Sequence, residues 1–121
     1  MCIRDSFRTL FTGMFMPDAP IEQWRAFDEL QQKTASPENA ARLWDAFQRI
    51  DVTEATRSLD VPTLVLHARD ERNRSYTQAE DLAGMIHNSR LVALDSSNHI
   101  LQEDERAFAQ FLDEVDRFLD A

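Results

Sequence analysis

The sequence predicts an α/β fold with an incomplete sheet: a helical segment over residues 7–60, then a β-α-β-α unit over 61–121 with two parallel strands. Two observations carry this expectation. Val61-Pro-Thr-Leu-Val-Leu-His-Ala-Arg-Asp-Glu71 and Leu91-Val-Ala-Leu-Asp-Ser-Ser-Asn-His99 are each a short apolar strand that stops abruptly in a polar loop. The first loop opens with carboxylates and the second presents a histidine. The hydrophobic period also changes near residue 61, from helical spacing to continuous apolar runs separated by helical stretches.

Before that boundary every element reads as helix. Phe7, Leu10, Phe11, Met14 and Phe15 recur at helical spacing. Pro17-Asp-Ala-Pro20 breaks the run and suits a new helix start, with Pro20 near its first turn. Ile21, Trp24, Phe27 and Leu30 follow on one face. Ser36-Pro-Glu38 is a second start, with serine as N-cap, proline at the first helical position and an acid in the first turn. Ala40, Leu43, Trp44, Phe47 and Ile50 then form an apolar stripe, and a short helical turn is expected over 53–59.

After the boundary, 63–67 is an apolar, β-branched run of the kind covered on both faces. Ser75-Tyr-Thr-Gln78 reads as a capping box. Its helix presents Ala79, Leu82, Ala83 and Ile86, and Asn88 is placed to close it in a left-handed conformation. Residues 91–94 form the second strand. Glu103-Asp-Glu105 opens the last helix with the negative charge its N-terminus favours, and Phe108, Phe111, Leu112, Val115, Phe118 and Leu119 make its amphipathic face. Strand–helix–strand–helix implies a right-handed βαβ unit. Two parallel strands are too few to stand alone, and the bare edge of the first is where further strands belong.

Composition narrows the function classes. A chain of 121 residues is at most one domain, and its 43% hydrophobic residues, with eight Phe and two Trp, suffice for a core. A net charge of −9 and a pI near 4.7, with no basic run, argue against nucleic-acid and anionic-membrane binding. No apolar stretch approaches the roughly 20 residues of a membrane span. The single cysteine, Cys2, allows no internal disulfide and fits a reducing, cytoplasmic compartment. Residues 1–6, Met1-Cys-Ile-Arg-Asp-Ser6, lack the apolar core of a signal peptide and look like a translated library-adapter scar, so that the native protein is expected to begin further upstream.

Three histidines are candidates for chemistry. His99 follows a strand, sits among small polar residues and is the candidate general base; the plainer reading is a surface histidine satisfied by Asp95. His67 ends a strand and is expected to face packed structure in a structural role. His87 reads as an exposed C-terminal helix cap. They lack metal-ligand spacing and no cysteine pair accompanies them, so neither a metal nor another cofactor is expected. Asp70 and Glu71 are adjacent, so only one can point inward; taken alone, both read as solvated loop carboxylates.

The strand ending in Glu71 resembles the acid strand of the α/β-hydrolases, which runs Pro-x-Leu-x-x-x-Gly/Ala-x-x-Asp. Ala68 stands at the small position, which puts the acid at Glu71. Asp95-Ser-Ser-Asn-His99 resembles the catalytic histidine loop, and the 28-residue offset from Glu71 to His99 suits one helix and one strand. Leu10-Phe-Thr12, Phe15-Met-Pro-Asp18, Phe27-Asp-Glu-Leu30, Thr34-Ala-Ser-Pro-Glu-Asn39 and Ile50-Asp-Val52 resemble the lid of one hydrolase subgroup, whose members are often fused to bacterial signalling modules. Their order is more specific than any one motif.

The resemblance implies an incomplete α/β-hydrolase fold, with lid over 7–60 and the end of the core over 61–121. The complete protein would cleave an ester, amide or similar acyl bond of a small molecule. His99 would act as general base and then acid; Glu71, or Asp70 if the register slips, would orient it. Met14, Phe15, Trp24 and Phe27 would line the substrate entrance, though their plainer reading is core. The chain departs from the pattern in three places. Glu71 replaces the commoner Asp, Asn73-Arg-Ser75 replaces hydrophobic-hydrophobic-Pro, and no Gly-x-Ser-x-Gly elbow exists, since Gly13 and Gly84 are the only glycines and neither lies two residues from a serine. The nucleophile and oxyanion hole would therefore belong to an upstream half of the same domain. The alternatives are a non-catalytic sensor or interaction domain on the same scaffold, and a free-standing acidic helical module, against which the strand–loop–histidine order argues.

Overall fold

The computed structural model describes residues 3–121, with side chains from Ser6 onward. Its elements are α1 (Ile3–Phe15), α2 (Ile21–Thr34), α3 (Pro37–Gln48), α4 (Thr53–Arg57), β1 (Thr63–Ala68), α5 (Tyr76–Met85), β2 (Ser89–Leu94) and α6 (Arg106–Leu119). The architecture is thus mixed helix and strand, as an α/β chain should be. Met1 and Cys2, the start of the expected leader, lie outside the described residues. Helix α1 reaches back to Ile3, through positions assigned to the leader.

β1 and β2 run parallel, with Thr63 opposite Ser89 and Ala68 opposite Leu94. Among the described residues they form the whole sheet, so each strand has one edge without a partner. α5 connects them and packs on both, and α6 also touches both. The strands are nonetheless half-buried along most of their length, with only Ala68 and Leu94 fully covered. The expectation that 63–67 is covered on both faces is not met, because two helices on a two-stranded sheet leave part of it bare.

Local signals account for most helix starts. Ser36 caps α3 by accepting the Asn39 N–H at 3.2 Å, with Pro37 at the first helical position. Pro20 is itself the N-cap of α2, and its carbonyl accepts the N–H groups of Gln23 and Trp24. Two expectations fail. Ser75 is the N-cap of α5, but its hydroxyl caps nothing; the Gln78 N–H turns to the Ser75 carbonyl at 3.0 Å, so a tight first turn replaces the capping box. Asn88 does not close α5 in a left-handed turn, since no described non-glycine residue has positive φ. The Ser89 hydroxyl instead donates to the Ala83 carbonyl at 2.6 Å, and the Asn88 carbonyl accepts the Thr63 N–H, starting the ladder. Glu103 and Asp104 lie in a turn before α6, and Glu105 is its N-cap.

The helical segment is unevenly packed. Thr12 on α1 is 0% exposed; its hydroxyl donates to Asp28 at 2.5 Å and accepts from the Gln31 amide at 2.9 Å, tying α1 to α2. The Trp24 indole N–H donates to the Met16 carbonyl at 2.7 Å, and its ring lies on Gly13, where a Cβ would stand 2.9 Å from Cη2. This close approach is why residue 13 carries no side chain. Helix α3 buries nothing: Leu43, Trp44 and Phe47, with Ile50 just beyond, are 44–62% exposed. Phe11 meets Trp44 edge-on at 6.0 Å across this region.

Candidate functional site

The site sits where both strands end. The ladder continues past them: the Arg69 N–H bonds the Leu94 carbonyl at 2.9 Å, and the Asp70 N–H bonds the Ser96 carbonyl at 3.1 Å. This holds the acid loop alongside the histidine loop. Extended backbone alternates its side chains. Asp70 is exposed, whereas the Glu71 side chain is 2% exposed and turned inward. Of the two candidate acids, Glu71 is the one brought to His99.

Glu71 Oε1 lies 2.7 Å from His99 Nδ1 and accepts the Arg74 N–H at 3.0 Å. Its other oxygen, Oε2, lies 3.3 Å from His67 Nε2. A buried carboxylate needs such partners, because water cannot solvate it. The carboxylate can only accept when ionised, so His99 Nδ1 carries the hydrogen and Nε2 is left as the acceptor. Nε2 makes no hydrogen bond among the described residues, and the His99 side chain is 39% exposed.

The C-terminus of α1 anchors His99 from the other side. The last carbonyls of a helix lack intrahelical partners. That of Phe15 accepts the N–H groups of His99 at 2.8 Å and Ile100 at 3.2 Å. The Phe15 ring packs edge-on against the imidazole at 4.9 Å.

The lead-in to His99 is built rather than loose. Asn98 is buried; its carbonyl oxygen accepts the Asp18 N–H at 3.1 Å and its amide donates to Glu105 at 3.3 Å. The buried Ser96 hydroxyl donates to the same Glu105 oxygen at 2.7 Å and accepts the Asn98 N–H at 2.9 Å. Glu105 also accepts the Gln102 N–H at 2.6 Å. The N-cap of α6 thus clasps the histidine loop, so Glu105 serves the loop more than its own helix. Asp95 is exposed and is not the carboxylate that meets His99.

The four residues expected at a substrate entrance are divided. Phe15 touches His99, and the Phe27 ring lies tilted beside that of Phe15 with centroids 6.3 Å apart. Trp24 bonds Met16 and lies on Gly13, and Met14 is half-buried on α1. Two surface hollows, one between α2 and α3 and one between α4 and α5, include neither His99 nor Glu71. His87 is exposed in the turn after α5. Reasoning from sequence missed His67, Ser96, Asn98 and Glu105 as parts of the site. A four-residue spacing of His67 from Glu71 across the strand end was the one available signal for the first; the others read as a flexible polar loop.

The arrangement can take up a proton at His99 Nε2 and offset the resulting charge through Glu71. Among the described residues no group of three or more His, Cys, Asp or Glu side chains is arranged to hold a metal ion, and no described helix is long and apolar enough to cross a membrane. No protein-family model, curated protein or solved structure matches the chain.

Proposed function

We propose that this chain is the lid and C-terminal β-α-β-α portion of an α/β-hydrolase, with His99 as the base and Glu71 as the acid of a Ser-His-acid triad. The observation that carries this reading is the 2.7 Å contact between buried Glu71 and His99 Nδ1 at the common end of two parallel strands, with Nε2 left without a partner. The order of the lid, acid and histidine motifs supports it.

In this reading an upstream serine attacks a small-molecule ester, amide or similar acyl carbonyl. His99 Nε2 takes the serine proton and returns it to the leaving group. Water then repeats the sequence against the acyl-enzyme, with His99 again accepting and releasing the proton. Glu71 keeps the hydrogen on Nδ1 and stabilises the imidazolium at each stage. Phe15 holds the histidine backbone and shields one side of its ring. The reading includes a reducing, cytoplasmic setting and an upstream half of the same domain as the missing partner. That half would cover the bare edge of β1 and the exposed stripe of α3.

The test is the protein translated with its upstream coding sequence. A Gly-x-Ser-x-Gly there, with hydrolysis of activated esters abolished by His99→Ala, supports the enzyme. An intact elbow with turnover indifferent to His99→Ala removes His99 from catalysis. A degenerate elbow without turnover points to a sensor on the same scaffold.

A further inference from the structure

We propose that His67 is a doubly protonated clamp on Glu71, a positioning residue that aims the carboxylate at His99; this rests on the reading of Glu71 and His99 as acid and base. His67 Nδ1 lies 2.8 Å from the Ala68 carbonyl oxygen. A carbonyl only accepts, so Nδ1 carries a hydrogen. Nε2 lies 3.3 Å from Glu71 Oε2. A neutral ring with its hydrogen on Nδ1 would turn the Nε2 lone pair toward a carboxylate that is 2% exposed. Little water reaches this contact to relieve the repulsion, since the His67 side chain is itself 15% exposed. A ring with hydrogens on both nitrogens satisfies the carbonyl and the carboxylate together and sets a cation against a buried anion.

One carboxylate therefore holds two histidines in different forms. His67 is the cation on Oε2, and His99 is the neutral base on Oε1, with Nε2 open for a proton. The Tyr76 ring meets His67 edge-on at 6.0 Å, and the Arg69 guanidinium lies 5.7 Å from the centroid of that same tyrosine ring. Glu71 is the anion within ion-pair distance of it. Without His67, Oε2 loses its donor, and the carboxylate is free to rotate away from the line to His99 Nδ1.

Nitrogen-15 NMR of the full chain labelled at histidine tests this, near neutral pH and below the concentration at which the chain associates. Ring nitrogen shifts should show His67 protonated on both nitrogens and His99 on Nδ1 only, with a downfield Nδ1–H line. His67→Leu should move that His99 line upfield or abolish it. His67→Gln, whose amide can donate to Oε2, should restore it. A singly protonated His67 in the unsubstituted chain overturns the clamp, whether or not the variants fold. So does an unmoved His99 line in a folded His67→Leu. Absence of the His99 line from the unsubstituted chain strikes instead at the Glu71–His99 pair and the function built on it.

Discussion

At the scale of single residues, the site depends on one carboxylate. Glu71 accepts the Arg74 N–H and lies within ion-pair distance of His99 and His67, so Glu71→Ala leaves all three groups facing a gap. In the complete parent protein, urea denaturation should show a loss of about 3 kcal/mol, the usual cost of breaking a buried pair from one side. Asp70→Ala, next door on an exposed side chain, should stay within about 0.5 kcal/mol. Equal effects would mean that the register of the acid loop is wrong. The residues alone left Glu71 and Asp70 open; only the resemblance, through Ala68 at the small position, pointed to Glu71, and the inward turn of its side chain needed the structure. The clasp was not legible. Ser96 and Asn98 have the composition of a mobile loop, and only the three-dimensional return of α6 brings Glu105 over them.

At the scale of elements, α1 is the strut that holds His99 through the Phe15 carbonyl, and Gly13 is its weak point. Gly13→Ala places a Cβ 2.9 Å from the Trp24 ring, which is restrained by its bond to Met16. The expected cost is on the order of 1 kcal/mol. Its signature is faster hydrogen exchange at the His99 N–H, since α1 must shift to relieve the clash; unchanged exchange would show that the ring yields instead. Helix α4 shows a smaller effect of the same local kind. The Thr53 hydroxyl and N–H hold the Asp51 carboxyl below the ordinary aspartate range. A lowered carboxyl stabilises the fold above its unfolded pKa and loses that contribution as pH falls through the folded value. Fraying of α4 should therefore set in only below about pH 4, read from amide shifts of Thr53 and Thr56. Helix positions were legible because proline, serine and apolar spacing act locally. The end of α5 was not, since Ser89, already in the next strand, takes over the closing bond expected of Asn88.

At the scale of the whole molecule, the described core is small and the apolar surface large. Met16, Ala68, Ala79, Ile86, Leu94 and Ala107 are its buried apolar residues, while the stripe from Leu43 to Ile50 and the outer face of α6 at Leu112 and Leu119 stand in water. Exposed patches of this kind drive association, and the net charge of −9 opposes it. Added salt screens the charge and leaves the apolar term, so the chain alone should associate more strongly as ionic strength rises. It should also bind a hydrophobic dye and melt without a sharp transition. Sedimentation and calorimetry would check this; a monodisperse monomer with a cooperative melt would mean that no partner is missing. If the chain is the proposed hydrolase portion, activity follows the same logic. His99 Nε2 meets no serine, threonine or cysteine among the described residues, so the pair has no nucleophile to activate. In an intact serine hydrolase, loss of the nucleophile alone costs on the order of a million-fold. On the proposed reading the oxyanion hole also belongs to the upstream half, so p-nitrophenyl acetate should turn over no faster than with free imidazole. Esterase activity in this chain that vanished with His99→Ala would reveal a second nucleophile within it, and the chain would then be a catalyst in its own right.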